Sequence, residues 1–374
     1  MTVDGVTMGK KIAEARQRAG MTQDELASAV SLDRSALAKV EGGVRRVSAL
    51  ELARIADELG ERIEWFIMET PPAVVSHRNV QGHAEATSAI DRLIERLAWN
   101  VEFVAKHGKD LPGIRVEAMR RPASRQAADQ MAADVRRKLG LDDEEPFYRI
   151  SEAVAELGLY AFCFDLGSDA ADAASLLLAQ GGVALVNGRL QVGRRRIALA
   201  HELGHFMIAD EYSVDWRILS GNESALEARL DEFARALLLP EKGIVNYWRS
   251  VIEAVVEDDD ALRIAAVKSA SKFRVDMSTL SKRLRDLRVV SHEEAARIRE
   301  FRTSRADIVD FNLIPEDELS APHLPRLYEE GVLNLFRSEI VTAARATDLL
   351  FDAWAEEELP ELPTVPEGAI WDLI

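Results

Sequence analysis

The chain has 374 residues, 47% of them hydrophobic and 30% charged, with a formal net charge of −17. That length and apolar content suffice for roughly two or three separate cores, and a lone cysteine, Cys163, excludes an intrachain disulfide framework. No apolar run approaches the ~20 residues of a membrane span and no hydrophobic signal segment opens the sequence, so a cytoplasmic protein with no membrane partner is expected.

Residues 1–68 read as an all-α bundle. Thr22, followed three residues on by Glu25, has the form of a capping box. Leu26, Ala27 and Val30, then Leu37 and Val40, supply the apolar seam of two helices joined by a tight turn, and small Ala27 lets them cross closely. Asp33 is the expected N-cap of the second helix, whose outer face carries Arg34, Ser35 and Lys39. Residues 50–59 form a closing helix. This stretch, from Thr22 to Gly43 with the closing helix, resembles the Xre/Cro-type helix-turn-helix family. The resemblance implies that Arg34, Ser35 and Lys39 face base edges of operator DNA, and that Gln23 with Arg45 or Arg46 holds phosphates. The turn position that the family usually gives to glycine is Ser31 here, and a left-handed serine costs about 1 kcal/mol. Residues 1–67 hold ten basic and eleven acidic side chains, so the acidic charge lies mainly beyond them. A near-neutral domain can still present a basic face through Lys39, Arg45 and Arg46, while the acidic remainder opposes non-specific binding. Binding as a homodimer at two half-sites is therefore the expectation.

Thr70-Pro71-Pro72 breaks the chain, and residues 74–83 read as linker. Residues 84–107 form an amphipathic helix with Ile90, Leu93, Ile94, Leu97, Val101 and Val104 on one side, and a second helix covers 122–139. Residues 69–124 are thus linker and amphipathic helices, which either extend the next domain or form a dimer stalk. Strands are expected at 159–164, 176–178 and 183–186, with Cys163 a core residue of the first. His77, His83 and His107 have no partners at ligand spacing.

His201-Glu202-x-x-His205 places two imidazoles one helical turn apart. At about 100° per residue they share a helix face and can bind one metal ion, with Glu202 beside the first as general base. Ile197, Leu199, Ala200, Leu203, Phe206 and Met207 would bury the rest of this helix. A third ligand is required. Downstream, Leu226, Leu230, Phe233, Ala234 and Leu237 recur at helical spacing up to Pro240, and Glu227 and Asp231 share one face. Glu227 then serves as ligand while Asp231 accepts a hydrogen bond from a ligating histidine, with Glu223 as the rival ligand.

Arg194 to His205, with Glu227-x-x-x-Asp231-x-Phe233-Ala234-x-x-Leu237-Leu238-x-Pro240, resembles the ImmA/IrrE family of metallopeptidases. Residues 181–187 resemble that family's strand ending in Asn, and Phe273 to Leu287 its C-terminal helical element. The resemblance, over roughly residues 125–290, implies a zincin fold with His201, His205 and Glu227 as zinc ligands and Glu202 as base. It departs where members often carry another Glu and this chain has Arg229. Two histidines and a carboxylate admit manganese as well as zinc. Tyr212, Arg217 and His292 are candidate oxyanion stabilisers. Residues 291–374 read as an acidic helical region. Their tail, acidic from Glu356 to Glu361 and apolar from Ile370 to Ile374, could dock on the peptidase cleft.

The expected fold class is therefore α+β and mainly helical. A helix-turn-helix bundle at 1–68 is followed by linker and helices at 69–124, a zincin-like domain with a small β-sheet at 125–290, and an acidic C-terminal extension at 291–374. The expected function is a DNA-binding transcriptional regulator fused to a zinc-dependent endopeptidase. By resemblance its substrate is a repressor or antitoxin-type protein in a stress, phage or mobile-element response. The alternative is a non-proteolytic regulator whose zincin-like domain senses a ligand or binds a partner.

Overall fold

The chain divides after Pro72 into two units, 1–72 and 73–374. The computed structural model describes residues 4–61, 63–67, 74–78, 84–109, 111–114, 116–168, 171–209, 221–255, 260–314 and 316–362. Tyr212, Arg217, His83 and the apolar tail end lie outside the described residues, as does the side chain of His77.

In the first unit, side-chain caps set the helix starts. Thr22 and Glu25 form the expected capping box at the head of α2 (Gln23–Ala29), and Ser48 and Glu51 form a second at α4 (Ala49–Glu58). Helix α1 (Gly5–Arg18) and helix α3 (Arg34–Glu41) pack with them, and α5 (Ile63–Ile67) closes the bundle. Ile12, Leu26, Ala27, Leu37, Ile55 and Phe66 are buried in one apolar cluster. Ser31 takes the left-handed conformation at φ 57°, and the N–H of Leu32 donates to Ala27 O at 2.8 Å to close the turn. A buried ion pair ties three helices together. Arg16 Nε lies 2.7 Å from Glu41 Oε1, and Gln23 Nε2 donates to Glu41 Oε2 at 2.7 Å.

The second unit is built on a four-stranded sheet in the order β1-β3-β4-β2. Strands β2 (Leu159–Phe164) and β4 (Gly182–Asn187) pair in parallel, and β3 (Ala173–Leu177) and β1 (Val74–Arg78) extend the sheet antiparallel. β4 is buried throughout, which its unbroken apolar run anticipates. Two differences from the sequence reading stand out. β3 begins at Ala173 and ends at Leu177, where 176–178 was expected. Val74–Arg78, read as linker, is an edge strand; five residues without alternation carry no periodic signal, and the backbone of β3 supplies the pairing.

Helices cover both faces of the sheet. On one lie α7 (Arg125–Lys138), α8 (Ile150–Glu156), α9 (Val192–Met207), α10 (Gly221–Leu238), α11 (Glu241–Ala254), α12 (Ala261–Phe273), α13 (Met277–Asp286) and α14 (His292–Glu300), around the larger core. The short α15 (Arg305–Asp310) is joined to α12 by a paired contact of Arg263 with Asp307. On the other face, α6 (Ala84–His107) packs with α16 (Arg326–Arg337) and α17 (Ala343–Leu349), whose Tyr328 hydroxyl donates to Leu349 O at 2.8 Å. The amphipathic helix at 84–107 and the C-terminal region therefore form one layer, although some 220 residues of sequence separate them. Between α15 and α16 the chain crosses β2, where Cys163 and His323 exchange two backbone hydrogen bonds of 2.9 Å. The Cys163 thiol is fully buried, and burial pushes its pKa up to about 12, as expected of a core residue. No helix among the described residues is long and apolar enough to cross a membrane.

Candidate metal centre and helix-turn-helix face

Helix α9 is buried from Arg195 to Met207. Two glycines let its neighbours close on it. A Cβ on Gly193 would stand 2.4 Å from the backbone N of Asp276, and one on Gly204 would stand 3.0 Å from Phe233 Cδ1. Gly204 thus lets α10 approach the face that carries both histidines. The far end of α10 is fixed by arginines, with Arg136 donating to Leu237 O at 2.9 Å and Arg283 to Leu239 O at 3.0 Å.

This packing brings three side chains together. His201 Nε2 is 3.0 Å from Glu227 Oε2, His205 Nε2 is 3.2 Å from Glu227 Oε1, and the two Nε2 atoms are 3.2 Å apart. One ligand atom from each residue lies within 4.8 Å of the others, close enough for one ion to be held by all three. His201 Nδ1 lies 3.0 Å from Asp231 Oδ1, which holds the ring with Nε2 toward His205 and Glu227. Both histidines are buried, while Glu227 is half-buried. Burial opposes ionisation of Glu227, but hydrogen bonds and charge from His201 and His205 outweigh it and hold the carboxyl well below the usual range.

Glu202 is 0% exposed. Its Oε2 accepts from Ser175 Oγ at 2.5 Å, and its Oε1 has no hydrogen-bond partner among the described residues. A fully buried, half-satisfied carboxylate beside a two-imidazole site is an acceptor waiting for a donor. The sequence reading missed Ser175, which stands 26 residues before His201 and in no motif. It also gave no role to Arg194, Arg195 and Arg196, which anchor the first turns of α9. Arg194 bonds Asp172 at 2.5 Å, Arg195 bonds Asp317, and Arg196 bonds Glu318 and Phe147 O. Their acidic partners lie far from them in the chain, beyond any local pattern. The candidate His292 is exposed at the head of α14, and Glu223 stands in α10 with a side chain outside the described set.

In the first unit Arg34, Ser35, Lys39 and Arg46 are exposed. Arg45 is half-buried and donates to Glu51 Oε1 at 2.7 Å, and Gln23 is held by Glu41. Asp33 occupies the N-cap position of α3 without a side-chain cap bond.

The fold and site define a helix-turn-helix unit followed in the chain by a mainly helical α+β unit that carries the His201, His205 and Glu227 cluster. Residues 12–66 match the helix-turn-helix family model, and residues 154–285 match that of the IrrE N-terminal-like domain, a metallopeptidase family. The chain therefore carries an Xre-type DNA-binding domain and an ImmA/IrrE-like domain. Among solved structures, the restriction-modification controller protein C.AhdI from Aeromonas hydrophila is 33% identical over 16% of this chain and 92% of its own, with a TM-score of 0.16. No curated protein matches the chain.

Proposed function

We propose that the protein is a DNA-binding transcriptional regulator joined to a zinc-dependent endopeptidase that cleaves a repressor or antitoxin-type protein. The response it serves is one to stress, phage or a mobile element. The observation that carries this reading is the convergence of His201, His205 and Glu227 beside the buried, half-satisfied Glu202. Zinc held by those three residues, or manganese in its place, would polarise a scissile carbonyl and lower the pKa of a water to about 7. Glu202, oriented by Ser175 through Oε2, keeps Oε1 for the proton of the attacking water and passes that proton to the leaving amine. Asp231 keeps His201 in the tautomer a ligand needs.

In the first unit Arg34, Ser35 and Lys39 are the side chains for base edges, and Arg46, Arg45 and Gln23 those for phosphates. Val44 and Leu50, 81% and 75% exposed, are apolar surface suited to a homodimer contact. Operator DNA as partner makes the cytoplasm the site of action.

The test is co-expression with candidate repressor or antitoxin proteins drawn from the neighbouring genes, with zinc measured on the purified protein. The parent should release a chelator-sensitive fragment, and Glu202→Gln should bind equal zinc and release none. If the variant cuts as fast as the parent, the mechanism is wrong.

A further inference from the structure

Strand β3 links the sheet to the candidate base, because Ser175 at its centre donates to Glu202 at 2.5 Å. Alternation along the strand places Ala173, Ser175 and Leu177 on one face and Ala174 and Leu176 on the other. Ala173 belongs to the core that contains α9, and Ala174 and Leu176 to the core of the opposite layer. One edge of β3 is bonded to β4. An extended polypeptide added to the other edge runs alongside Ser175, and main-chain hydrogen bonds would hold it whatever its sequence. That edge is already taken. Val74–Arg78 pairs along all five residues of β3, with Ser76 opposite Ser175, and this strand also lies against α9. Among the described residues it is the last strand of the sheet, and in sequence it stands between the two family-matched regions.

We propose that Val74–Arg78 is an internal occupant of the substrate edge, a segment of the chain that stands where an extended stretch of a protein substrate would lie. The word substrate rests on the peptidase reading above; the occupancy does not. Access to the site then requires β1 to leave β3, and an outer strand bonded along one edge is the element of a sheet most readily removed. The peptidase is held closed toward other polypeptides by Val74–Arg78 of its own chain. What replaces that segment is an extended stretch of protein, which pairs with β3 through its main chain.

The experiment uses the full chain loaded with zinc and carrying Glu202→Gln, so that nothing is hydrolysed. Replacing residues 74–78 with five prolines keeps the length and removes every N–H donor of β1. A fluorescein-labelled peptide of residues 72–80 is titrated into both proteins and followed by anisotropy. The five-proline variant should bind at least about tenfold tighter than its parent, and amide exchange at residues 173–177 should be faster in the variant and slowed by the peptide. Equal binding by the two proteins, or no binding to a variant whose 173–177 amides exchange freely, overturns the proposal. Should circular dichroism show that five prolines unfold the chain, the double variants V74P/S76P and V75P/H77P replace it. Alternate residues of an antiparallel strand face opposite edges, so one of these two removes two of the donors that face β3. A separate assay with labelled casein and Glu202 intact tests the peptidase reading: an opened edge that binds peptide while casein stays whole would sink that reading and leave the occupancy standing.

Discussion

His201 Nδ1 lies 3.0 Å from Asp231 Oδ1, and the two side chains come from α9 and α10, which pack against each other. The carboxylate holds one ring nitrogen and so aims the other at His205 and Glu227. Asp231→Ala is expected to weaken zinc binding by about 10–100-fold while leaving the fold intact. Competition against a chromophoric chelator measures this, and unchanged affinity would remove Asp231 from the centre.

Ser175 offers a sharper test of the base. Ser175→Ala removes the hydroxyl that holds Glu202 Oε2 but touches none of the three ligands. On a protein that the parent cleaves, kcat should fall about tenfold, part of the 10²–10⁴-fold that a general base supplies, with zinc content and KM unchanged. A variant that lost zinc in the same proportion would point to a structural role instead.

Gly204 decides how closely α10 approaches. Gly204→Ala puts a methyl 3.0 Å from Phe233 Cδ1 and 3.2 Å from Leu230 Cδ2 in a full core. The expected cost is about 1–3 kcal/mol in denaturant unfolding. Zinc affinity should fall with it, because Glu227 rides on the displaced helix.

Away from the site, Asp307 reports on acid stability. Hydrogen bonds from Arg263, at 2.9 and 2.7 Å, lead its pKa down to about 2 against the opposing effect of burial. A carboxyl lowered in the folded state contributes stability that is complete above the unfolded value near 4 and is lost as pH falls toward 2. Asp307→Asn should therefore lower the melting temperature at pH 6, by an amount equivalent to about 1–3 kcal/mol, and the gap to the parent should narrow as pH falls from 4 to 2. A gap that is constant across this window would show that the ionised pair is not the cause.

On the DNA side, Lys39→Ala removes one exposed positive charge from the outer face of α3. If Lys39 meets base edges, affinity for the operator should drop and discrimination against altered half-sites should relax, by about 1–3 kcal/mol at one position. If it meets a phosphate, the loss will be uniform across sequences and the salt slope will fall by about 1. Gel-shift titrations at two salt concentrations separate the two outcomes.

The sequence by itself determined what is local. The i, i+4 histidines of α9, Glu227 and Asp231 one turn apart on α10, and the capping box at Thr22 and Glu25 all repeat within a helical turn, and one helix period suffices to read them. The left-handed turn at Ser31 was legible through the resemblance to the helix-turn-helix family, whose pattern usually puts glycine at that position. Tertiary structure decided what depends on residues distant in the chain. Ser175 reaches Glu202 only once β3 lies against α9, and the three arginines of α9 find Asp172, Asp317 and Glu318 only in the folded unit. The joining of helix 84–107 with α16 and the pairing of Val74–Arg78 with β3 are of the same kind. A five-residue edge strand takes its order from a neighbour's backbone rather than from its own side chains, so no periodicity announces it. The chain thus spells out its candidate metal ligands in order, whereas the place of Ser175 beside Glu202 and the pairing of Val74–Arg78 with β3 exist only through packing.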